Sequence, residues 1–276
     1  MPTTPKKQNT SGPERKMLSS AEIKAALTTR IMGKSIHVFE EIDSTNDQAY
    51  RLAEHGAKEG TLVVAERQTK GRGRLGRSWY SPAGLGIWMS VILRPDLPPA
   101  TAPALSLVAG LSLARTIEDH LDLNAELKWP NDCLLDGKKT AGILTELSAE
   151  KEKVRFVVLG VGINVLHQRA DFPAGLQNTA TSLALAARRE IDRVQFLCAF
   201  LRQLEDDYQR FKKEELTPFL DPYTKRCGLI GARVRAQVGN NTISGRAVRI
   251  DPTGALVIAR NREEIVVRAG DVERIR

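Results

Sequence analysis

Residues 70–79 read K-G-R-G-R-L-G-R-S-W, which places four cationic side chains and three glycines in one short segment. Glycine lacks a Cβ, so such a backbone can approach a ligand closely and adopt positive φ angles. Arginine presents a rigid fork of donors that suits carboxylate or phosphate oxygens. We call this segment the basic loop and predict that it is mobile and closes over an anionic ligand. A solvated basic loop without a ligand is the simpler alternative.

The chain on either side of the basic loop argues against a Rossmann fold. Residues 61–66 predict a buried strand that leads into the loop through Gln68. Residues 71–76 match the dinucleotide fingerprint G-x-G-x-x-G, but that motif requires a helix to begin inside it. Here residues 78–82 read S-W-Y-S-P, which is typical of a turn.

The segment before the first predicted strand is short. Residues 1–17 are polar and aperiodic, and we predict a disordered tail. A capping box formed by Ser19 and Glu22 then begins a single helix ahead of a strand at residues 35–39. A helix-turn-helix needs at least two packed helices, so we predict no DNA-binding domain.

A polar run begins the next predicted helix, which covers residues 45–55. Ser44, Thr45 and Asn46 stand at its start, and Gly56 is typical of its end. Two interpretations are open. The run is either an ordinary helix cap, or a group of hydroxyl and N–H donors that binds a polar ligand at the helix N-terminus.

Downstream of the basic loop the pattern changes to hairpins around one apolar helix at residues 104–121. The Asp136-Gly137 pair is the signature of a tight hairpin turn. Gly142, Gly160 and Gly162 lie inside predicted strands, where a glycine marks close approach of a ligand or tight backbone packing. The predicted strands are 85–93, 140–147 and 154–165, and a further strand ends at the K-W-P-N-D run of residues 128–132.

The last part of the chain contains two predicted helices and then short strands. The helices are at residues 181–188 and 192–213, and turn signals recur after Gly228, as is typical of an SH3-like barrel. We therefore predict an α/β (α+β) protein in three parts. They are the tail 1–17, a larger domain of strands and helices at 18–227 and an SH3-like domain 228–276.

Composition narrows the class of protein. The excess of 41 Lys and Arg over 33 Asp and Glu, a net charge of +8, suits a polyanionic partner or a phosphate-bearing ligand. Cys133, Cys198 and Cys227 lack C-x-x-C spacing, which disfavours a disulfide framework or a zinc site. No apolar run has the length of a membrane span and no signal-peptide core is present. We predict a cytoplasmic protein that does not enter a membrane.

Four motifs together resemble those of the biotin–protein ligases. They are D-S-T-N at 43–46, G-R-G-R-L-G-R at 71–77, K-W-P-N-D at 128–132 and K-T-A-G-I-L at 139–144. They stand in this order, with G-V-G-I-N at 160–164 and a small β-domain behind them. The resemblance covers about residues 19–276, and it implies the mixed-sheet fold of class II synthetases and biotinyl-lipoyl ligases.

The resemblance implies a two-step reaction. ATP enters with Mg²⁺, and the biotin carboxylate joins its α-phosphate. Pyrophosphate then leaves, and the product biotinyl-5′-AMP stays bound to the enzyme. A lysine of a biotin carboxyl carrier domain, in acetyl-CoA carboxylase or a related biotin-dependent carboxylase, then attacks this anhydride. Both steps build negative charge, so fixed cations and N–H donors are the expected catalytic groups. We name no protein ligand for the metal.

The resemblance also implies a role for individual residues. Lys139 and Arg74 are the catalytic cations; Lys128, in the more conspicuous K-W-P-N-D motif, is the rival to Lys139. Nucleotide contacts fall to Arg77, Trp79, Asn131 and Asn164. The residues implied for biotin and its adenylate are Ser44, Thr45, Asn46, Gln68, Gly71, Arg72, Gly73, Arg74, Lys139, Gly142 and Gly160.

Three alternatives remain at this stage. A lipoate or octanoate ligase of the related fold would use the same acyl-adenylate chemistry. Its apolar substrate, however, does not need the polar ring that the resemblance implies for biotin, formed by Ser44, Thr45, Asn46 and Gln68. A DNA-binding biotin sensor would need the N-terminal domain that we do not predict, and a silent adaptor would not need Lys139, Arg72 and Arg74. Pairing of two copies is possible in the family.

Overall fold

A computed structural model describes residues 16–275. The predicted disordered tail lies, up to residue 15, outside the described residues. The described chain contains two β-sheets and six α-helices. The helices are α1 (Ser20–Ala26), α2 (Thr45–Glu54), α3 (Ala104–Leu121), α4 (Leu183–Ala187), α5 (Arg193–Glu214) and α6 (Thr217–Arg226).

The larger sheet has seven strands in the order β1-β2-β3-β7-β6-β5-β4. Among the described strands of this sheet, β1 and β2 are the one parallel pair, which α2 connects as a crossover, and the other neighbours are antiparallel. The strands are β1 (Ile36–Ile42), β2 (Leu62–Gln68), β3 (Gly86–Leu93), β4 (Glu126–Lys128), β5 (Asp132–Leu135), β6 (Lys138–Glu150) and β7 (Lys153–Asn164).

The two faces of this sheet are covered differently. Helices α3 and α5 cover one face, where Leu159 and Val161 enter the main core. On the other face α2 packs over Val158 through Ala49. Because successive side chains of a strand alternate between faces, Gly160 and Gly162 lie on the α2 side. Helix α2 reaches Gly160 through Asn46 of its first turn, whereas Gly162 lies beyond the helix. The part of the sheet beyond α2 becomes the floor of a cleft.

Helix α3 belongs to the core. In the described chain, Pro99–Leu121 has the length and composition of a membrane span, but 72% of that window is buried inside the protein. A helix that is apolar on all sides and surrounded by protein is typical of a core helix. We therefore assign no membrane role to it.

The smaller sheet has five antiparallel strands in the order β11-β10-β9-β8-β12. It is tied to the large sheet by the Trp129 indole N–H, which donates to the Gly254 carbonyl at 2.9 Å. The prediction of a mixed-sheet domain followed by a small β-domain is confirmed. The strands are β8 (Arg233–Val238), β9 (Asn241–Ile250), β10 (Leu256–Arg260), β11 (Glu263–Val267) and β12 (Asp271–Arg274).

A buried ion pair anchors the strand that leads into the basic loop. Glu66, at the end of β2, bonds Arg193 at 2.8 Å, and their side chains are 0% and 4% exposed. The same carboxylate accepts from the backbone N–H groups of Leu18 and Gly84. These bonds satisfy a charge that burial would otherwise strongly disfavour. They join α5 and the segment before α1 to the entry of the loop.

Helix α6, which has Pro222 inside it, is not among the helices predicted from the sequence. A proline in a helix interior costs about 3 kcal/mol through its missing N–H and its ring. Phe219 and Tyr223, on the inner side of α6, are buried, and burying each such side chain contributes about 1.5–3 kcal/mol. Tertiary packing therefore outweighs the local preference. The helix predicted at 181–188 is shorter, Leu183–Ala187, and the strand predicted at 140–147 is longer, Lys138–Glu150.

The cysteines are expected to be unreactive in the folded protein. All three are buried free thiols, and burial raises the pKa of Cys133 to about 12 and of Cys198 to about 11. Since the thiolate is the nucleophile, iodoacetamide at pH 8 should label none of them within an hour, whereas the urea-unfolded chain should label at all three. Mass spectrometry measures both, and rapid labelling of the native protein would contradict this burial.

Candidate active site

A cleft of about 470 Å³ opens on the uncovered part of the large sheet. Strand ends, the start of α2, the basic loop and the small sheet all contribute to its wall. The cleft brings together most of the predicted site residues. Those that line it are Ser44, Thr45, Asn46, Gln68, Arg72, Gly73, Arg74, Arg77, Trp79, Asn131, Lys139, Gly142 and Gly160.

Glycines form the floor of this cleft. Gly142 and Gly162 are paired in register on β6 and β7. A Cβ on Gly162 would lie 2.4 Å from the Trp79 indole nitrogen, and one on Gly160 would lie 1.9 Å from Asn46 Oδ1. Either contact is far inside van der Waals distance. The floor therefore requires glycine so that an indole and an amide can lie directly on the sheet.

Next to Gly160 a set of polar side chains forms a connected ring. Gln68 Oε1 accepts from the Thr45 backbone N–H at 2.8 Å and from its hydroxyl at 3.0 Å. The Gln68 amide donates to Ser81 at 2.9 Å. The Ser90 hydroxyl lies 2.8 Å from Thr45 Oγ1 and 2.6 Å from Asn46 Oδ1. Such a network holds each polar group in one orientation inside the protein.

Ser44 has the capping role of the first interpretation. It precedes α2 with extended backbone, and its hydroxyl accepts from the Asp47 N–H at 3.5 Å. Because it also lines the cleft, capping and ligand binding do not exclude each other. The cap fixes where Thr45 and Asn46 project.

The basic loop is a small hairpin. The Gly73 N–H donates to the Arg77 carbonyl at 2.7 Å, and the Trp79 N–H donates to the Gly71 carbonyl at 2.8 Å. Leu75, at its tip, has φ 56° and is 70% exposed. Gly71 does not line the cleft. A Cβ there would lie 2.5 Å from the Trp79 carbonyl, so the hairpin has no room for a larger residue at this position. This glycine closes the hairpin.

Each loop cation that faces the cleft has a partner within the protein. Arg74 donates to Asn131 Oδ1 at 3.2 Å. Burial lowers the pKa of Arg74, while Asp271 and Asp132 act in the opposite direction. Arg77 pairs with Asp271 of the small sheet. Arginine stays protonated at any physiological pH, so these side chains are permanent positive charges around the cleft.

Lys139 lies opposite the loop, near the start of β6. Its ammonium is 2.6 Å from Asp132 Oδ1 and 5.2 Å from the centre of the Trp79 ring. The carboxylate and the ring face both attract a cation. The ammonium is therefore held in place above Gly142, whose Cβ would lie 3.4 Å from it. Lys128, the rival to Lys139, also lines the cleft.

Asn164 lies elsewhere. Its side-chain amide donates to the Thr181 carbonyl at 3.1 Å, and the residue is 5% exposed. It stands at the end of β7 and ties that strand to the segment before α4, so it does not line the cleft. Its predicted contact with the nucleotide has no support in this geometry.

Sequence reasoning missed the acidic partners of the cations and the contribution of the small sheet. Arg235 pairs in register with Glu273, and Gln237 with Asp271, on β8 and β12. All four line the cleft. The alternation of polar and buried residues in β8 was the available signal, but alternation does not say which surface a strand faces.

The described residues contain no group of three or more His, Cys, Asp and Glu that could hold a metal ion. The carboxylates of the cleft are already engaged, since Asp132 pairs with Lys139 and Asp271 with Arg77. The residues present therefore do not build a metal site of their own. What the cleft does supply is an arrangement of fixed cations suited to negative charge that develops on a phosphate or carbonyl oxygen.

Two family profiles match the chain. That of the "Biotin/lipoate A/B protein ligase family" matches residues 38–164. That of the "Biotin protein ligase C terminal domain" matches residues 229–274. The first contains the strands of the cleft floor and the basic loop, and the second contains the small sheet.

Individual relatives agree with these profiles. The bifunctional ligase/repressor BirA of Bacillus subtilis is 41% identical over 256 residues, which are 93% of this chain and 79% of that protein. The biotin–[acetyl-CoA-carboxylase] ligase of Mycobacterium tuberculosis is 35% identical over 249 residues, 88% of this chain and 90% of that protein. Among solved structures, the biotin protein ligase of Aquifex aeolicus in complex with biotin and ATP superposes with a TM-score of 0.76 at 30% identity. It covers 88% of this chain and 100% of that one.

Proposed function

This chain belongs to the biotin/lipoate A/B protein ligase family, and we infer from that premise that it attaches biotin to a protein lysine in an ATP-dependent reaction. The observation that favours biotin over lipoate or octanoate as the substrate is the polar ring around Gln68, Thr45 and Asn46. The ureido group of biotin has both N–H donors and a carbonyl acceptor, and such a ring can match them. A lipoyl or octanoyl tail has no such donors and acceptors, so it would gain none of these hydrogen bonds, each of which contributes about 0.5–1.5 kcal/mol.

The first step joins the two substrates. The biotin carboxylate oxygen attacks the α-phosphorus of ATP, the bond to the β-phosphate oxygen breaks, and pyrophosphate leaves. Negative charge grows on the oxygens of the α-phosphate. We propose that Lys139 and Arg74 stabilise this charge, because both are held beside the same cleft before any ligand enters. Charges that are already oriented need no reorganisation during the reaction.

The second step transfers biotin to the acceptor. The neutral ε-amine of a carrier lysine attacks the carbonyl carbon of biotinyl-5′-AMP, the bond to the phosphate oxygen breaks, and AMP leaves as the amide forms. We propose that the acceptor is a biotin carboxyl carrier domain of acetyl-CoA carboxylase or a related carboxylase. The M. tuberculosis relative named for that acceptor is the support for this proposal.

We propose that Mg²⁺ arrives as part of the ATP substrate. Phosphate oxygens and water commonly supply most of its coordination shell, and it screens the charge of the triphosphate. No step is assigned to it, since the described residues lack a ligand cluster. Homodimer formation, absence of operator binding, a cytoplasmic location and the domain boundaries at 17/18 and 227/228 stay predictions.

Biotin-dependent exchange of pyrophosphate into ATP tests the function. Biotin, lipoate and octanoate are compared in parallel with the same purified protein. We expect exchange with biotin alone at micromolar concentrations. Equal or faster exchange with lipoate or octanoate would contradict biotin as the preferred substrate. No exchange with any of the three would contradict the ligase function.

Replacing Arg74 by glycine is expected to release biotinyl-5′-AMP about tenfold faster, because a charge-assisted bond to a phosphate contributes about 1.5–3 kcal/mol. Half-buried Arg74 faces the cleft from the loop tip. Dissociation of radiolabelled adenylate measures the effect. Biotin attached to added serum albumin measures how much reactive adenylate has been released into solution. Arg262→Gly, at a distant turn where the native φ is 69°, is the matched control. Unchanged retention in Arg74→Gly would contradict the assignment.

A further inference from the structure

We propose that Asp47 and Glu146 form a carboxylate clamp that holds the basic loop closed through Arg72, and that they are positioning residues for retention of the adenylate. Neither acid was implied by the motifs. The role in adenylate retention rests on the proposed function. The clamp itself is a property of the folded chain and can be tested without any ligand.

The clamp joins three separate elements. The Arg72 Nη2 atom lies 2.6 Å from Asp47 Oδ1, in the first turn of α2, and 2.8 Å from Glu146 Oε2, on β6. A single guanidinium of the loop is therefore bonded to the helix and to the sheet that form the two sides of the cleft. This contact holds the loop over the floor from the protein side.

These bonds are more protected than the other ion pairs of the loop. The side chains of Arg72, Asp47 and Glu146 are 41%, 37% and 28% exposed. The Lys70–Asp43 pair at the base of the loop is 74% and 54% exposed. Solvent screens exposed pairs so strongly that many contribute nothing measurable. Among these contacts the clamp is the better candidate for control of the loop.

The clamp also touches the polar ring. Glu146 Oε2 accepts from the Asn46 amide at 2.7 Å, and Asn46 Oδ1 lies 2.6 Å from the Ser90 hydroxyl. One carboxylate oxygen therefore serves both the loop arginine and a residue of the ring. Hydrogen bonds that share a group in this way influence one another. The ring and the loop are coupled through Glu146.

Charge explains why two acids face one arginine. When Arg72 leaves, the two carboxylates remain near each other without a counter-ion, and like charges at close range repel. Two effects therefore destabilise the open loop, namely the loss of the bonds to Arg72 and the repulsion between the two carboxylates. Replacing one acid by its amide removes this repulsion from the open state and removes one of the two ion pairs of Arg72 from the closed state, so both changes favour opening of the loop.

Limited proteolysis of the ligand-free protein tests the clamp. Trypsin can cut after Lys70, Arg72, Arg74 and Arg77, and cleavage requires the loop to open. We expect Glu146→Gln and Asp47→Asn each to be cut in the loop about tenfold faster than the native protein. Asp43→Asn, which removes the exposed acid at the base of the same loop, should be cut at the native rate. Thermal unfolding measures whether each variant is folded.

Adenylate retention tests the consequence for the reaction. We expect Glu146→Gln and Asp47→Asn to release preformed biotinyl-5′-AMP about tenfold faster, while the KM for ATP in pyrophosphate exchange stays within about threefold. Glu146→Asp keeps the carboxylate and should retain more of the adenylate than Glu146→Gln does. A residue needed only for folding would not show this dependence on the charge.

The outcomes separate the clamp from the function. Native rates of loop cleavage in both folded acid variants would overturn the clamp, and so would an equal acceleration in Asp43→Asn. Failure of the native protein to form an adenylate with biotin would overturn the proposed function and leave the proteolysis result to decide on the clamp. Faster cleavage with unchanged adenylate release would reject the role of the clamp in retention.

Discussion

Lys139→Ala is expected to slow biotin-dependent adenylation by about 10²–10³, which corresponds to about 3–4 kcal/mol of barrier. The Lys139 ammonium stands 2.6 Å from Asp132 and 5.2 Å from the Trp79 ring centre, so it is oriented before the substrates enter. A cation aimed at charge that appears only in the transition state affects the rate more than the binding. We therefore expect the dissociation constant for biotin to change by less than tenfold.

Pyrophosphate exchange with saturating biotin and ATP measures this effect. Lys138→Ala is the matched control, because Lys138 is the exposed neighbour on the same strand and does not line the cleft. It removes the same charge from the protein and should keep nearly the native rate. A near-native rate in Lys139→Ala, or an equal loss in Lys138→Ala, would show that Lys139 does not stabilise the transition state.

Gly160→Ala is expected to weaken biotin binding by on the order of 10², or about 3 kcal/mol, from overpacking together with lost hydrogen bonds. The added methyl would lie 1.9 Å from Asn46 Oδ1. Rotating the Asn46 side chain relieves the clash but gives up its contacts with Ser90 and Glu146. The chain folds, since Gly160 does not have a positive φ that would exclude alanine. The polar ring is what the substitution damages.

Isothermal titration with biotin measures this loss, and the melting temperature reports on folding. Gly175→Ala provides a control, because no atom lies within 4 Å of its added Cβ and its φ is not in the left-handed region. It should bind biotin as the native protein does. Binding within a few-fold of native in Gly160→Ala would mean that the ring does not contact biotin.

Several cations that line the cleft have an acidic partner within the protein. Lys139 has Asp132, Arg77 has Asp271, and Arg72 has the two acids of the clamp. Internal carboxylates reduce the repulsion among clustered cations and keep the loop folded against the sheet. A phosphate that enters must compete with these partners. Affinity for the nucleotide is therefore lower than free cations would give, while orientation is better.

Most of the residues that the motifs single out line one cleft, and their roles there stay predictions. The position of Gly142 and Gly160 inside strands left tight packing and ligand approach both open, and the resemblance implied the pocket that both of them line. The basic loop was identified from its glycines and arginines alone. Asn164 and Gly71 were placed in the site through motif resemblance, yet Asn164 bonds Thr181 and Gly71 closes the hairpin. A motif gives spacing along the chain and does not give the direction of a side chain.

By itself, the sequence predicted most of the strands and helices in chain order, although not α6, together with caps, turns and the residue types that the chemistry requires. These features depend on neighbours a few residues apart, where φ/ψ preference and hydrophobic period act directly. Tertiary structure alone decided which acid each cation meets. Arg72 and Glu146 are 74 residues apart, and Arg77 and Asp271 are 194 apart. Such pairs form only after burial of the core has set the strand register of the large sheet and the position of the small sheet against it.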